Sequence, residues 1–232
     1  MDGQSPNCGS QIDEKQVRER MKITAPYTKW IRTYGPENGL EYAGPVAHEV
    51  GLKTAIGAWL GKDDSVNKRQ INELIEEAKA DDVDLAIVGS ETLLRNDLSE
   101  DQLINYIKLV KNGAPGISVT TADTYSKLLN HPKVMEECDV IMYNSYPYWE
   151  GISIDNAIEV QDSRYKNLAS NVKNKPIIVS ETGWPSAGNK IGNAVPSPEN
   201  SVRYFNDFVS WARKNNIQYF YFEAFDKNME KC

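Results

Sequence analysis

The feature that most constrains this chain is the alternation of two hydrophobic periods along its 232 residues. Short β-branched or apolar runs recur near residues 30, 54, 85, 117, 140, 177 and 219, and segments of helical spacing separate them. The segment 64–81 sets Val66, Ile71, Leu74, Ile75 and Ala78 along one side. In 99–112, Ser99 and Gln102 have the spacing of a capping box ahead of Leu103, Ile107 and Val110. Further helices are expected over 13–25, 40–50, 121–129, 153–171 and 197–214, with Pro132 stopping the helix 121–129 and Ser197-Pro198 opening the last. Strict strand–helix alternation with short loops implies an α/β protein with a parallel sheet.

Seven strands are counted where an eight-stranded barrel of typically about 250 residues has one more. No strand is followed by G-x-G-x-x-G or by a phosphate-binding loop, so nucleotide-binding doubly wound sheets lack their best support. The expectation is therefore a single (β/α)8 TIM barrel over residues 1–232, with no linker or repeat to divide it.

Charge narrows the partners. A formal charge of −7 argues against nucleic acid and against anionic membranes, both of which need a basic face. No apolar run approaches the roughly 18 residues that span a bilayer. Cys8, Cys138 and Cys232 form no C-x-x-C pair, and His48 and His131 stand far apart, so neither a metal centre nor a cofactor is expected. The composition fits a monomer with a neutral ligand.

In a barrel the carboxyl ends of the strands face the site, whatever their separation in sequence. Those ends carry Tyr34, Trp59, Glu91, Tyr143 with Asn144, Glu181 and Glu223. Three carboxylates and several aromatics converge there, without a cysteine or lysine nucleophile. Glycoside cleavage uses this combination: an acid to protonate the leaving oxygen, and a carboxylate to attack or to activate water. Tyr146, Tyr148, Trp149 and Trp184 are available to stack on sugar faces. Arg32, inside the first strand, is expected as an ion-pair partner beneath the carboxylates.

V-S-E-T-G-W-P-S-A-G, residues 179–188, resembles the nucleophile signature of glycoside hydrolase family 17, the β-1,3-glucanases. D-G-Q-S-P-N at 2–7, W-I-R-T-Y-G at 30–35, V-G-S-E at 88–91, N-S-Y-P-Y at 144–148 and E-A-F-D at 223–226 agree, so the resemblance runs through essentially the whole chain. It implies a retaining enzyme acting on internal bonds of β-1,3-glucan, with Glu181 as nucleophile and Glu91 as general acid/base. The pair would then stand about 5–5.5 Å apart. Tyr34, Ser90, Tyr143, Asn144, Tyr146, Trp149, Trp184 and Glu223 are the expected substrate-binding residues, Ser90 standing where related barrel glycosidases often have Asn. The resemblance also implies secretion, to a cell wall or periplasm.

Family members open with a strand before D-G-Q-S-P and close with a helix after the eighth strand. The barrel expected here lacks that first strand and that last helix. Two rival readings follow: a transglycosylase using the same two glutamates, and a non-catalytic glucan-binding barrel. A lyase or aldolase would want a Schiff-base lysine or a metal cluster at a strand end, and neither is found.

Overall fold

The structure, a computed structural model, describes residues 11–225. The D-G-Q-S-P-N motif, nearly all of the expected opening loop, the question of a preceding strand and the last residue of E-A-F-D lie outside that range. Strands β1 (Trp30–Arg32), β2 (Lys53–Ala58), β3 (Leu85–Ser90), β4 (Ser118–Thr124), β5 (Ile141–Asn144), β6 (Ile177–Thr182) and β7 (Gln218–Tyr221) join in chain order into one sheet. The pairs β1–β2, β2–β3, β4–β5, β5–β6 and β6–β7 are all parallel. The order never reverses, as it must in a doubly wound sheet. Consecutive parallel strands with helical crossovers are the winding of a (β/α)8 barrel, and seven of its strands fall among the described residues.

By its internal contacts the chain divides into two compact units: 11–121 with 137–139 and 223–225, and 122–136 with 140–222. In the first, helices α1 (Glu14–Thr24), α2 (Ala43–Glu49), α3 (Asp64–Lys79) and α4 (Glu100–Gly113) alternate with the strands. The Ser99–Gln102 capping box forms in full, each side chain bonding the other residue's backbone N–H. Residues on both faces of β2 and β3 are buried, Ala55, Ile56, Ala86, Ile87 and Val88 among them, as a parallel sheet covered on both sides requires. Carboxylates tie the amino ends of the strands. Asp84 Oδ2 accepts from the Thr54 amide at 2.8 Å and lies 3.0 Å from His48 Nε2. Asp139 does the same for the Val119 amide at 2.8 Å and for Lys111 Nζ at 2.8 Å.

The second unit carries α5 (Tyr125–Asn130), most of α6 (Pro132–Glu137), α7 (Ala157–Asn171) and α8 (Pro198–Lys214). Ser197 caps α8 and Pro198 opens it, and the helix buries Tyr204, Phe208, Trp211 and Ala212. Its rings build an aromatic core. Tyr204 stacks on Phe208 with centroids 5.9 Å apart, and Phe208 meets Tyr219 edge-on at 5.1 Å.

Three boundaries differ from expectation. β4 continues to Thr124 instead of yielding to a helix at 121, because Thr120, Thr121 and Thr124 suit a buried strand better than a helix. Pro132 follows the end of α5 at Asn130 as expected, but it also begins α6, a helix not expected, where its missing N–H costs nothing. β7 ends at Tyr221, so Glu223 follows the strand instead of lying within it. Among the described residues, no helix is long and apolar enough to cross a membrane.

Candidate active site

In the second unit, β6 delivers Glu181 from the run Ile177-Ile178-Val179, whose β-branched side chains favour an extended, buried backbone. The pairing of β5 with β6 shifts by one residue between Tyr143 and Asn144, so that Asn144 stands beside Glu181. The Ser145 amide closes this irregularity by donating to the Glu181 carbonyl at 2.9 Å. Glu181 is only 9% exposed. Tyr146 donates its hydroxyl to Glu181 Oε2 at 3.0 Å, which fixes one carboxylate oxygen and with it the direction of the other. Beside it, Ser180 Oγ and Asn144 Oδ1 are bonded at 2.6 Å, both residues buried.

Behind the glutamate lies a polar network. Gln161 Nε2 lies within hydrogen-bond distance of the Ser145 carbonyl at 3.0 Å, Thr182 Oγ1 at 3.1 Å and the Tyr204 hydroxyl at 2.7 Å, and shares its two N–H groups among them. These bonds pin the ends of β5 and β6 to α7 and α8. Gly183 follows because nothing larger fits: a Cβ there would lie 2.4 Å from the Phe222 carbonyl oxygen.

In the first unit, β3 ends in V-G-S-E. Gly89 has φ +77°, a left-handed conformation, and a Cβ would meet the Thr92 methyl at 2.7 Å. Glu91 is left-handed too, at φ 55°. A non-glycine residue held there costs of order 1–3 kcal/mol, and such strain gathers at functional sites. The turn after it is hydrogen-bonded: the Arg95 amide donates to the Glu91 carbonyl at 2.9 Å, and the Asp97 amide to the Thr92 carbonyl at 3.0 Å. Ser90, the last residue of β3, is buried, and its Oγ accepts from Arg32 at 3.2 Å. Arg32 also lies over the Tyr34 ring at 4.6 Å, and Tyr34 meets Trp59 edge-on at 6.5 Å. Arg32 thus engages a hydroxyl and an aromatic face in this unit.

Two predicted sugar contacts are corrected. Tyr143 is completely buried, and its hydroxyl has no hydrogen-bond partner among the described residues. Burial pushes that hydroxyl well above the usual tyrosine range, and the groups it senses, Tyr165, Tyr204, Arg164 and Tyr125, sit on the helices. Its ring faces the helical layer because adjacent strand residues point to opposite sides. Trp184 is 5% exposed, packed between Tyr148 at 5.5 Å and Tyr204 at 5.6 Å, with Nε1 donating to the Val195 carbonyl at 3.0 Å. It anchors the loop 185–195 and presents no open face. Tyr148 is buried beside it and donates to the Asn189 carbonyl. Trp149, by contrast, is 64% exposed and supported edge-on by Tyr148 at 4.9 Å. Tyr34, Asn144, Tyr146 and Glu223 all stand at or just past the carboxyl ends of their strands. Sequence reasoning did not single out Arg95, whose only signal was a cation four residues beyond Glu91.

Residues 2–231 match the family model described as the BtgE/BtgC glycoside hydrolase domain. A glucan 1,3-beta-glucosidase of Schizosaccharomyces pombe is 30% identical over 89% of this chain and 70% of its own length. One of Saccharomyces cerevisiae is 26% identical over 97% and 80%. Among solved structures, the glycoside hydrolase family 17 beta-1,3-glucanosyltransferase of Rhizomucor miehei superposes with a TM-score of 0.88 at 34% identity, covering 98% of this chain and 87% of that one. An active-site mutant of that protein has been solved in complex with laminaritriose.

Proposed function

The chain belongs to glycoside hydrolase family 17, within the group described as BtgE/BtgC glycoside hydrolases, and from that premise we propose that it cleaves β-1,3-glucan with retention of configuration, Glu181 being the nucleophile and Glu91 the general acid/base. The observation that carries the reading is the setting of Glu181: a nearly buried carboxylate at a strand's carboxyl end, aimed by the Tyr146 hydroxyl at 3.0 Å. A nucleophile needs that fixed direction, since attack on an anomeric carbon tolerates little misalignment.

In the first step a Glu181 oxygen bonds to the anomeric carbon, while the bond to the leaving oxygen breaks and that oxygen takes the proton of Glu91. In the second, Glu91 removes a proton from water, whose oxygen displaces Glu181. Tyr146 steadies Glu181 through both steps. Asn144, fixed by Ser180, and the exposed ring of Trp149 are suited to hold sugar hydroxyls and a sugar face. The secreted or cell-wall location implied by the family resemblance goes with such a polymer and forms part of the proposal.

The test is direct. Glu181→Ala and Glu91→Ala proteins are assayed for reducing ends released from linear β-1,3-glucan, and the anomer first formed is read by NMR. We expect losses of roughly 10⁴-fold for Glu181→Ala and 10²–10⁴-fold for Glu91→Ala, with the β-anomer formed first by the parent. Near-parental turnover in either variant removes that residue from the mechanism.

A second reading has a specific observation behind it, the 34% identical relative being a glucanosyltransferase. There a sugar hydroxyl replaces water in the second step. Products longer than the substrate, formed at high oligosaccharide concentration, would select it.

A further inference from the structure

One side chain bridges the left-handed turn that carries Glu91 to the neighbouring strand end. Arg95 donates from Nη1 to the carbonyl of Ser90, which belongs to the peptide bond joining Ser90 to Glu91. Its Nη2 donates to the Leu60 carbonyl at 2.8 Å, just beyond β2, and its Nε to Asp97 Oδ2 at 2.6 Å within the same turn. The guanidinium lies 4.6 Å over the Trp59 ring, at the start of the loop after β2. All three guanidinium nitrogens are thus engaged, each by a different segment, and an aromatic face fixes the plane. A planar fork is suited to this task and an ammonium is not.

The Arg95–Glu91 and Asp97–Thr92 backbone bonds lie inside the loop, whereas the Arg95 side chain reaches from the loop to the end of β2. That attachment opposes relaxation of the strained φ of Glu91 toward an ordinary region. We propose that Arg95 is a positioning residue for the acid/base: it clamps the Ser90–Glu91 peptide to the end of β2 and so sets where the Glu91 carboxyl points. The inference rests on the reading of Glu91 as acid/base.

A misplaced acid/base leaves a signature that general loss of structure does not. Natural cleavage must protonate a sugar oxygen as its bond to the anomeric carbon breaks. A dinitrophenolate departs with the bonding electrons and needs no proton. Azide, likewise, displaces Glu181 from the glycosyl-enzyme by forming its own bond to carbon, with no base required.

The experiment compares Arg95→Ala, Arg95→Lys and Glu91→Ala with the parent on a laminari-oligosaccharide and on the matching dinitrophenyl β-glycoside. For Arg95→Ala we expect kcat on the oligosaccharide to fall about 10–100-fold with KM changing less than about threefold. On the dinitrophenyl substrate kcat/KM should fall less than about threefold, and azide should raise the slow turnover with formation of the β-glycosyl azide. Arg95→Lys, which keeps the charge and loses the fork, should lie between parent and Arg95→Ala. Equal losses on the two substrates, or parental activity, overturn the inference. Should Arg95→Ala not fold by circular dichroism, Asp97→Ala, which removes only the Nε anchor, must show the same substrate dependence in milder form, and substrate-independent loss again overturns the idea. If Glu91→Ala itself shows no dependence on the leaving group, the acid/base reading fails. If Glu91→Ala shows it and the Arg95 variants do not, only the positioning role falls.

Discussion

Glu91 and Glu181 occupy equivalent places, each at the carboxyl end of a parallel strand, and are held there by opposite means. Glu91 is placed through its backbone: a left-handed φ of 55°, a hydrogen-bonded turn, and a guanidinium on the preceding carbonyl. Glu181 continues a regular strand, and its side chain is fixed by a hydroxyl donor. The difference suits the roles proposed for the two groups. An acid/base exchanges its proton in every cycle, and an anchor on its backbone positions it without itself occupying a carboxyl oxygen. A nucleophile keeps its carboxylate form until it bonds to carbon, so a donor can stay in place throughout. Acids at the amino ends show a third arrangement. Asp84 and Asp139 have oxygens taken up by strand amides and by lysines, which ties strands together.

The contrast breaks most sharply at Tyr146. If the nucleophile depends on a side-chain donor, Tyr146→Phe should lower kcat by about 10–100-fold, since a hydrogen bond to a charged group is worth roughly 1.5–3 kcal/mol. The loss should be similar for the oligosaccharide and the dinitrophenyl glycoside, because attack by Glu181 is common to both. A loss confined to the oligosaccharide would assign Tyr146 to leaving-group protonation instead.

The sequence made these two regions visible to different degrees. All seven strands were readable, because short apolar β-branched runs bounded by Gly, Pro and Asn have few other solutions. Glu91 and Glu181 stood out through the motifs around them. The orientation of Tyr143 did not, because a strand buried on both faces has no alternation to reveal which way a side chain points. Trp184 looked like a platform because its burial depends on Tyr204, 20 residues later in the chain, and on the Val195 carbonyl. Arg95 was hidden for a similar reason. A cation in a polar turn reads as solvated surface, and its partners at Leu60 and Trp59 are non-local.

Glu77 shows what a half-buried acid becomes without either kind of support. It lies on α3, and its Oε2 has no hydrogen-bond partner among the described residues. Burial, with lesser repulsion from Asp82, Glu41 and Glu73, pushes its pKa up to about 8 from 4.5. A raised folded-state pKa means that the native protein binds the proton more tightly than the unfolded chain. The associated stability is fully present below about pH 4.5 and is lost as pH rises toward 8. Glu77→Gln should therefore change little at pH 4 and raise stability at pH 8 by roughly 1–2 kcal/mol, after allowance for solvent screening. Urea unfolding at the two pH values decides it, and an equal effect at both would mean that Glu77 does not titrate in this window.

The smallest effect tests the backbone half of the comparison without reference to catalysis. Alanine and glycine both remove the carboxyl group but differ in the backbone they tolerate. At position 91 alanine keeps the left-handed penalty, about 1–2 kcal/mol for a residue with a Cβ, which glycine escapes. Glycine in turn gives the unfolded chain more freedom, worth about 0.4–1 kcal/mol against the fold. The balance makes Glu91→Gly more stable than Glu91→Ala by about 0.5–1 kcal/mol. At position 181, inside a strand, only the glycine cost operates, so Glu181→Gly should be less stable than Glu181→Ala by a similar amount. Chemical denaturation of the four variants reads the sign at each site. Matching signs would show that the turn relaxes once the glutamate is gone, and that the carboxyl group itself, not the fold around it, holds the left-handed conformation.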